Sequence, residues 1–133
     1  MSLQTVNPES LGAPKGYSNG ILAGPGGRLL FVAGQVAWNA RQEIVGDDFA
    51  GQFGQALANV IEVVRAAGGR PEHIARFTIF VTDKQEYLAA PKPVGEQYRK
   101  HMGRHFPAMA LVEVRGLVEP GAKLEIEATA VLP

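Results

Sequence analysis

Residues 46–82 read GDDFAGQFGQALANVIEVVRAAGGRPEHIARFTIFVT, and they decide the fold because an amphipathic helix is followed there by a buried strand. Apolar residues recur at helical spacing from Phe49 to Val64, after Gly46-Asp47-Asp48, which opens the helix with an acidic cap. Gly68-Gly69 ends this helix, and Ile74 to Thr82 then alternates as a strand. A helix that leads directly into a strand of this kind indicates an α+β fold.

Further strands and one more helix flank this segment. Gly24-Pro25-Gly26-Gly27 lies between two short apolar runs and predicts a β-hairpin. The element order is ββαβαββ, which predicts a single domain over residues 1–133 with two helices on one face of a mixed sheet and an irregular lead-in over residues 1–14. The predicted elements outside the opening segment are strands at 21–23, 29–33, 108–115 and 124–132, and a helix that begins near Pro93 and ends at Gly103.

The composition excludes several classes of protein. The 133 residues are 46% hydrophobic and 20% charged, which is typical of a folded globular domain rather than a disordered chain. Thirteen basic and thirteen acidic side chains give no net charge, so we expect no nucleic-acid partner. The lack of cysteine excludes disulfides and thiolate zinc sites and is compatible with a cytoplasmic location. No apolar run reaches the ~20 residues that cross a bilayer, so we expect no membrane partner.

The predicted strands have one apolar face and one mixed face. Alternation places Phe77 and Ile79 on the side beneath the helices, with alternate residues from Ala108 and from Leu124. On the other face, Phe80, Met109 and Leu111 would expose an apolar patch. Two helices cannot cover both faces of this sheet. We therefore expect other copies of the chain to cover the second face in a symmetric oligomer.

Glu125 and Glu127 are the most suggestive pair for chemistry. They lie two residues apart on one strand, so both carboxylates point to the same face. Paired carboxylates suit proton transfer to or from a bound molecule. They equally suit ion pairs at the surface or between subunits, and spacing alone favours that simpler role.

Other polar residues give weaker signals. Tyr17 precedes the first predicted strand, where its hydroxyl is free to meet a ligand or its ring to pack between subunits. Glu113 and Arg115, with Arg76 nearby, predict either an anion site or a ladder of ion pairs. His101 and His105 are interrupted by Gly103 and lack a third ligand near in sequence, so we expect no metal site.

Seven stretches, in order along nearly the whole chain, resemble the reactive intermediate deaminase (Rid) family, also described as perchloric-acid-soluble proteins. No single stretch is specific, but the ordered set is. The stretches are Gly16-Tyr17-Ser18, Phe31-Val32-Ala33-Gly34-Gln35, Gln55-Ala56-Leu57-Ala58-Asn59-Val60, Ala67-Gly68, Phe77-Thr78-Ile79-Phe80-Val81-Thr82-Asp83, Phe106-Pro107-Ala108 and Leu124-Glu125-Ile126-Glu127-Ala128.

This resemblance implies a chorismate-mutase-like trimer with its sheets facing inward and a cleft between each pair of subunits. It also implies hydrolysis of a 2-imino acid, or its enamine tautomer, to a 2-keto acid and ammonia without a cofactor. The glutamate at the place of Glu125 would hold water or transfer a proton. Tyr17 and the backbone near Gly34 would line the pocket, and an arginine directly after Pro107-Ala108 would bind the substrate carboxylate.

The sequence departs from the family at that arginine. Met109 stands in its place, and Leu111 replaces a small or thiol residue. A charge-assisted contact contributes roughly 1.5–3 kcal/mol, or about 10- to 150-fold in binding. The pocket is therefore expected to be more apolar and to bind small imino acids poorly, unless Arg76, Arg104 or Arg115 supplies a cation.

Three hypotheses follow, and they belong to different classes. The first is a Rid-like hydrolase of a small imine or enamine with Glu125 as the acid/base. The second is a non-catalytic trimer whose clefts bind a small, partly apolar molecule, which Met109 and Leu111 favour. The third and weaker is an endoribonuclease, against which the zero net charge argues.

Overall fold

The architecture is described by a computed structural model over residues 3–133, which contains six β-strands and three α-helices. The long helices α1 and α3 share a hydrophobic core with one face of a four-stranded sheet. The elements are β1 Leu3–Val6, β2 Gly20–Ala23, β3 Arg28–Gln35, α1 Phe49–Ala66, β4 Ile74–Val81, α2 Lys84–Leu88, α3 Pro91–Met102, β5 Ala108–Glu113 and β6 Leu124–Leu132.

The main sheet is mixed, and its strand order is β3-β6-β4-β5. β4 and β5 run parallel, while the pairs β3–β6 and β4–β6 are antiparallel. The connection between the parallel strands carries α2 and α3, as a parallel pair requires. The predicted α+β class with helices on one face of a mixed sheet is thereby confirmed.

Helix α1 forms where the sequence predicts it. The Asp48 carboxylate accepts the backbone N–H of Gly51 at 2.8 Å and caps the first turn. Gln52 is only 2% exposed, although it is polar, because it joins two loops to the helix. Its side-chain amide donates to the carbonyls of Gly46 and Gly121, at 3.2 and 3.1 Å, and its oxygen accepts the N–H of Lys123 at 2.9 Å.

The predicted hairpin does not form, and the predicted irregular lead-in is wrong for residues 3–6. β2 pairs with β1 in a separate two-stranded antiparallel sheet, while β3 pairs with β6. Residues 3–6, expected to be irregular, therefore form a strand, and residues 1–2 lie outside the described part of the chain. The Gly24–Gly27 turn indicates a change of direction but does not specify which strand becomes the partner.

Helix α3 begins at Pro91 rather than near Pro93. A proline lacks the N–H that a first turn leaves unbonded, so Pro91 fits at that position. The short helix α2 precedes it, with the Asp83 side chain accepting the N–H of Gln85 at 2.9 Å. At the other end Gly103 has a φ of +61°, which lets the chain leave α3 toward Phe106.

The faces of β5 are the reverse of those predicted. In the parallel register, Met109 lies beside Phe77 and Leu111 lies beside Ile79, so both side chains are on the helix side of the sheet. They pack against the core instead of forming an exposed patch with Phe80. Apolar residues occupy alternate positions of β5 in both phases, so the pattern is ambiguous, and the larger side chains fill the core.

The other face of the sheet, here called the open face, nevertheless exposes apolar side chains. Phe31 is 74% exposed, Leu29 is 62% exposed and Val112 is 41% exposed. Glu125 lies opposite Phe80 on this same face, in the antiparallel register of β4 and β6. Within residues 3–133, no helix combines the length and the apolar character that a bilayer crossing needs.

Candidate functional site

Tyr17 is held beside the edge strand β5 by its neighbour Ser18. The Ser18 side chain is buried, its hydroxyl donates to the Phe106 carbonyl, and its backbone N–H donates to the Pro107 carbonyl at 3.1 Å. Ser18 also forms a parallel bridge with Ala108. These contacts fix the irregular segment before β2 against the start of β5. As a result, Tyr17 and Met109 line the same cavity, which is described next.

A cavity of about 510 Å³ opens between α3 and β5 on the helix side of the sheet. We refer to it as the α3–β5 cavity. Tyr17, Met109 and Leu111, three of the predicted site residues, all line it. Its apolar wall also contains Phe53, Ile79, Val94 and Phe106, its other tyrosines are Tyr87 and Tyr98, and its cations are Lys15, Arg99 and Arg104.

One wall of the cavity is a rigid aromatic pair. The rings of Tyr98 and Phe106 stack with centroids 5.2 Å apart and planes within 2°. The Tyr98 hydroxyl donates to the carbonyl of His105 at 2.6 Å. Burial raises the pKa of Tyr98 well above its usual range, so this hydroxyl stays protonated and serves as a structural donor.

Glu125 and Gly34 form a second location, on the open face. A Cβ atom placed on Gly34 would lie 2.7 Å from Cδ and 2.9 Å from Cγ of Glu125, so the glutamate side chain rests directly on the glycine backbone. Any side chain at position 34 would require the Glu125 side chain to move. Glu125 is half-buried, and among residues 3–133 neither Glu125 nor Glu127 forms an ion pair.

The sheet separates these two locations within one chain. Met109 and Leu111 face the helices, whereas Glu125 projects from the opposite face, and β4 lies between their strands. Glu125 and Gly34 do not line the α3–β5 cavity. Within one chain, the predicted site residues therefore form two separate sets. Tyr17, Met109 and Leu111 line the cavity, whereas Gly34 and Glu125 contact each other on the open face.

The three arginines considered as substitutes for the missing clamp lie in different places. Arg104 lines the α3–β5 cavity together with Met109. Arg76 borders a shallower depression of about 300 Å³ that also contains Tyr17. Arg115 follows the end of β5 and lines neither space. Of the three, Arg104 is the one that shares the main cavity with the predicted site residues.

The predicted anion site at Glu113, Arg115 and Arg76 does not form. The Glu113 carboxylate accepts the N–H of Lys84 at 2.9 Å, at the start of α2. Glu113 pairs with Val81 at one end of β4, while Arg76 lies beside Ala108 at the other end. The sequence spacing was compatible with a cluster, but the register of the strands separates its members.

The histidines have local structural partners. His105 Nε2 lies 2.7 Å from the Ile74 carbonyl, and His73 Nδ1 accepts the N–H of Arg70 at 3.0 Å. Burial, followed by the charges of Lys100 and Arg65, lowers the pKa of His101. Over residues 3–133, no three histidine or carboxylate side chains are placed so that they could hold a metal ion together.

Sequence reasoning missed several residues of the cavity. Lys15, Tyr87 and Arg99 line it but belong to no motif. The helical spacing of Pro91, Gly95 and Arg99 puts them close to one face of α3, which was the available signal. It did not reveal that this face borders a cavity and not solvent.

Comparison with known proteins agrees with the resemblance seen in the sequence. A family model described as "Endoribonuclease L-PSP" matches residues 8–132. The chain is 34% identical over 105 residues to the 2-iminobutanoate/2-iminopropanoate deaminase of Escherichia coli strain K12, covering 79% of this chain and 80% of that protein. The human protein of the same name is 29% identical over 121 residues, which cover 90% and 82% of the two chains.

Solved structures give the same result for the fold. A Rid-family protein of Yersinia pestis, YyfB, superposes with a TM-score of 0.87 at 37% identity and covers 99% of this chain and 100% of its own. Escherichia coli TdcF, solved with bound serine, gives a TM-score of 0.69 at 30% identity over 92% of each chain. The chain therefore belongs to the Rid family, whose model carries the endoribonuclease L-PSP description.

Proposed function

We propose that this protein is a Rid-type hydrolase that converts a small imine or enamine to a carbonyl product and ammonia. In this proposal Glu125 positions water or transfers a proton, and Tyr17, Gly34, Met109 and Leu111 line the substrate pocket. The protein acts as a homotrimer without a cofactor, with its open faces inward and a cleft between each pair of subunits. The related deaminases from Escherichia coli and human support the reaction type.

The placement of Glu125 is the observation that carries the proposal. Its carboxyl group is half-buried against Gly34 and has no cation within ion-pair distance among residues 3–133. By contrast, the carboxylate of Glu86 lies 2.9 Å from Lys123 in an ion pair. A carboxylate that is held in place yet unpaired is available to accept a proton from water.

The chemistry needs only a water molecule and a group that moves protons. Water adds to the carbon of the protonated imine, and the Glu125 carboxylate takes a proton from that water as the C–O bond forms. The same proton then passes to nitrogen in the carbinolamine. As the C–N bond breaks and ammonia leaves, the Glu125 carboxylate takes the proton of the carbinolamine hydroxyl and the carbonyl forms. Glu125 then gives this proton to the ammonia, which restores its carboxylate.

The cleft between subunits is supported by the two faces of the sheet. The open face exposes Leu29 and Phe31 on β3, which is next to the strand that bears Glu125, and Val112 on the edge strand β5. Burial of such apolar area favours association. Tyr17 and Met109 lie at the opposite edge, by β5. Packing that edge on the open face of a neighbour would place Tyr17 of one chain near Glu125 of the next.

Met109 sets the expected substrate preference. Without a cation at this position, short imino acids lose about 10- to 150-fold in binding relative to relatives that have arginine there. The variant Met109→Arg should therefore raise kcat/KM for 2-iminobutyrate. Unchanged kcat/KM would mean that the missing arginine does not limit the reaction.

The activity is tested by generating imino acids with an amino-acid oxidase and following the formation of 2-keto acid. Wild type should accelerate the release, and Glu125→Gln should abolish the acceleration. The matched control is Glu127→Gln, which changes the exposed neighbour two residues away on the same face. If a broad imine panel gives no acceleration, the proposed enzyme function is wrong.

Mixing two inactive variants tests whether the site is shared between chains. Glu125→Gln and Tyr17→Ala would be unfolded together and refolded as mixed trimers. In a shared site, an interface regains activity when one chain supplies an intact Glu125 and the next chain supplies an intact Tyr17. Random assembly of equal amounts gives about a quarter of the interfaces this combination. If both residues of a site come from one chain, mixing restores nothing.

A second candidate is a non-catalytic trimer that binds a small, partly apolar molecule. The apolar wall of the α3–β5 cavity, with Met109 at the place of the family arginine, favours it. Binding of 2-keto acids in a thermal-shift assay, together with no turnover of any imine, would support this candidate over the hydrolase. An endoribonuclease is less well supported, since the chain has thirteen acidic and thirteen basic side chains.

A further inference from the structure

We infer that the α3–β5 cavity binds an organic anion with a bulky apolar body, its acidic group held at the rim by Arg104, Arg99 and Lys15. This inference names the substrate class of the proposed function and rests on it in so far as Tyr17 and Met109 belong to the substrate site. A carboxylate or another oxyanion satisfies the chemistry of the rim.

The charge around the cavity is one-sided. Lys15, Arg99 and Arg104 line it, and no aspartate or glutamate of the described residues 3–133 does. Across residues 3–133, the ion pairs involve other cations, namely Arg41, Arg70 and Lys123. In a chain with equal numbers of acidic and basic residues, three cations without acidic partners around one cavity give a local positive potential.

The backbone of α3 gives the Arg99 guanidinium a defined position. A Cβ atom on Gly95 would lie 3.2 Å from Nη1 of Arg99, so the arginine folds back over the preceding turn of the helix. Gly95 and Arg99 both line the cavity. The Arg99 side chain, although exposed, therefore lies along the helix turn that borders the cavity.

Arg104 reaches the same cavity from just beyond the C-terminal end of α3, five residues after Arg99. It directly follows Gly103, whose φ of +61° ends the helix and redirects the chain toward the aromatic wall. The guanidinium group suits a carboxylate because it offers parallel N–H donors. Two arginines and one lysine, all of them exposed, thus line a cavity whose other side chains are mostly apolar.

The interior favours a ligand larger than a short imino acid. Phe53, Ile79, Phe106, Met109 and Leu111 line a space of about 510 Å³, within the range of about 300–1,000 Å³ that small-molecule sites occupy. A four-carbon acid bound at the rim would leave most of this apolar wall in contact with water. An aromatic or branched aliphatic body would fill it.

Isothermal titration calorimetry with three probes tests this inference. The probes are phenylpyruvate, the short acid 2-oxobutyrate, and the uncharged ketone 4-phenyl-2-butanone. We expect phenylpyruvate to bind at least about 10-fold tighter than either of the others, since only phenylpyruvate has both the charge and the apolar body. Equal or tighter binding of 2-oxobutyrate would overturn the inference.

Charge-removing variants then locate the anion. Arg104→Gln should weaken phenylpyruvate binding about 10- to 150-fold, as expected for the loss of a charge-assisted contact. Arg115→Gln is the matched control because Arg115 is exposed and does not line the cavity, and its affinity should equal that of wild type. If the triple variant Lys15→Gln, Arg99→Gln, Arg104→Gln binds phenylpyruvate as wild type does, the inference is wrong.

Binding and turnover separate this inference from the proposed function. Phenylpyruvate binding that depends on Arg104, without hydrolysis of any imine, supports the inference while the proposed hydrolase fails. Hydrolysis of short imino acids that depends on Glu125 but is unchanged in the triple variant supports the hydrolase and overturns the inference.

Discussion

Gly34→Ala should disable the Glu125 carboxylate without unfolding the protein. The new methyl group would lie 2.7 Å from Cδ of Glu125, whereas ordinary contacts begin near 3.4 Å, so the carboxyl carbon has to move by about 0.7 Å. Misplacement of a reacting group by about 1 Å costs on the order of 100-fold in rate. We therefore expect kcat/KM for imine hydrolysis to fall by roughly 10- to 100-fold.

The folding free energy should change little in this variant. Gly34 lies in β3 and its φ is not positive, so alanine fits the backbone there. Replacing glycine by alanine at such a position stabilises proteins by about 0.4–1 kcal/mol through the unfolded state. This gain offsets part of the cost of moving the glutamate side chain, so we expect the net change to stay within about 1 kcal/mol.

The measurement compares kcat/KM and urea unfolding for Gly34→Ala and Gly20→Ala. Gly20 is also a strand glycine without a positive φ, but a Cβ there would meet Val6 at an ordinary 3.6 Å. Gly20→Ala should therefore keep wild-type kcat/KM. The double variant Gly34→Ala, Glu125→Gln should be no less active than Glu125→Gln alone. Wild-type kcat/KM in Gly34→Ala, with Glu125→Gln inactive, would refute the argument from the glycine contact.

Three other changes test separate features of the structure. Gln52→Leu leaves two carbonyls and one N–H without their partner, so the free energy of unfolding measured in urea should fall by about 2–4 kcal/mol. The exposed control Gln85→Leu should change this free energy by less than about 0.5 kcal/mol. His101 has a lowered pKa in the folded protein, so the unfolded state binds more protons near the ordinary histidine pKa, and stability falls as the pH drops from 7 to 5. His101→Gln should therefore show a shallower fall in Tm over that interval. An unchanged slope of Tm against pH would contradict this. The variant Phe31→Glu places a charge on the open face and should reduce the mass measured by light scattering to that of one chain. The control Leu88→Glu, at a residue of α2 that is 60% exposed, should leave the mass unchanged. A wild-type monomer at micromolar concentration would exclude the trimer.

The sequence was sufficient for the elements whose pattern has only one reading. The helix from Phe49 has a cap, a continuous apolar stripe and a glycine stop, and it forms as predicted. β4 and β6 have apolar residues throughout one phase and mostly polar residues in the other. Their buried faces, such as Phe77 with Ile79, were therefore predicted correctly. The ordered motifs along the chain were sufficient for the family.

Where a pattern had two readings, tertiary contacts decided the outcome. β5 has apolar residues in both phases, and only its register with β4 places Met109 beside Phe77. β2 has a turn after it, but its partner is β1 and not β3. The cations of the cavity come from two separate segments, so nothing local in the sequence relates Lys15 to Arg99 or Arg104.

The inverted face of β5 changes what the absence of the family arginine means. If Met109 projected from the open face, its apolar side chain would only enlarge the surface between chains. On the helix side it instead contributes an apolar wall to a cavity whose positive charge remains at the rim, on Arg99 and Arg104. An anion held at the rim can fill the space beside Met109 only if an apolar body extends inward from the charged group. In the proposed anion site, the substitution would thus move the point of charge recognition outward and favour longer substrates, without requiring any change at Glu125.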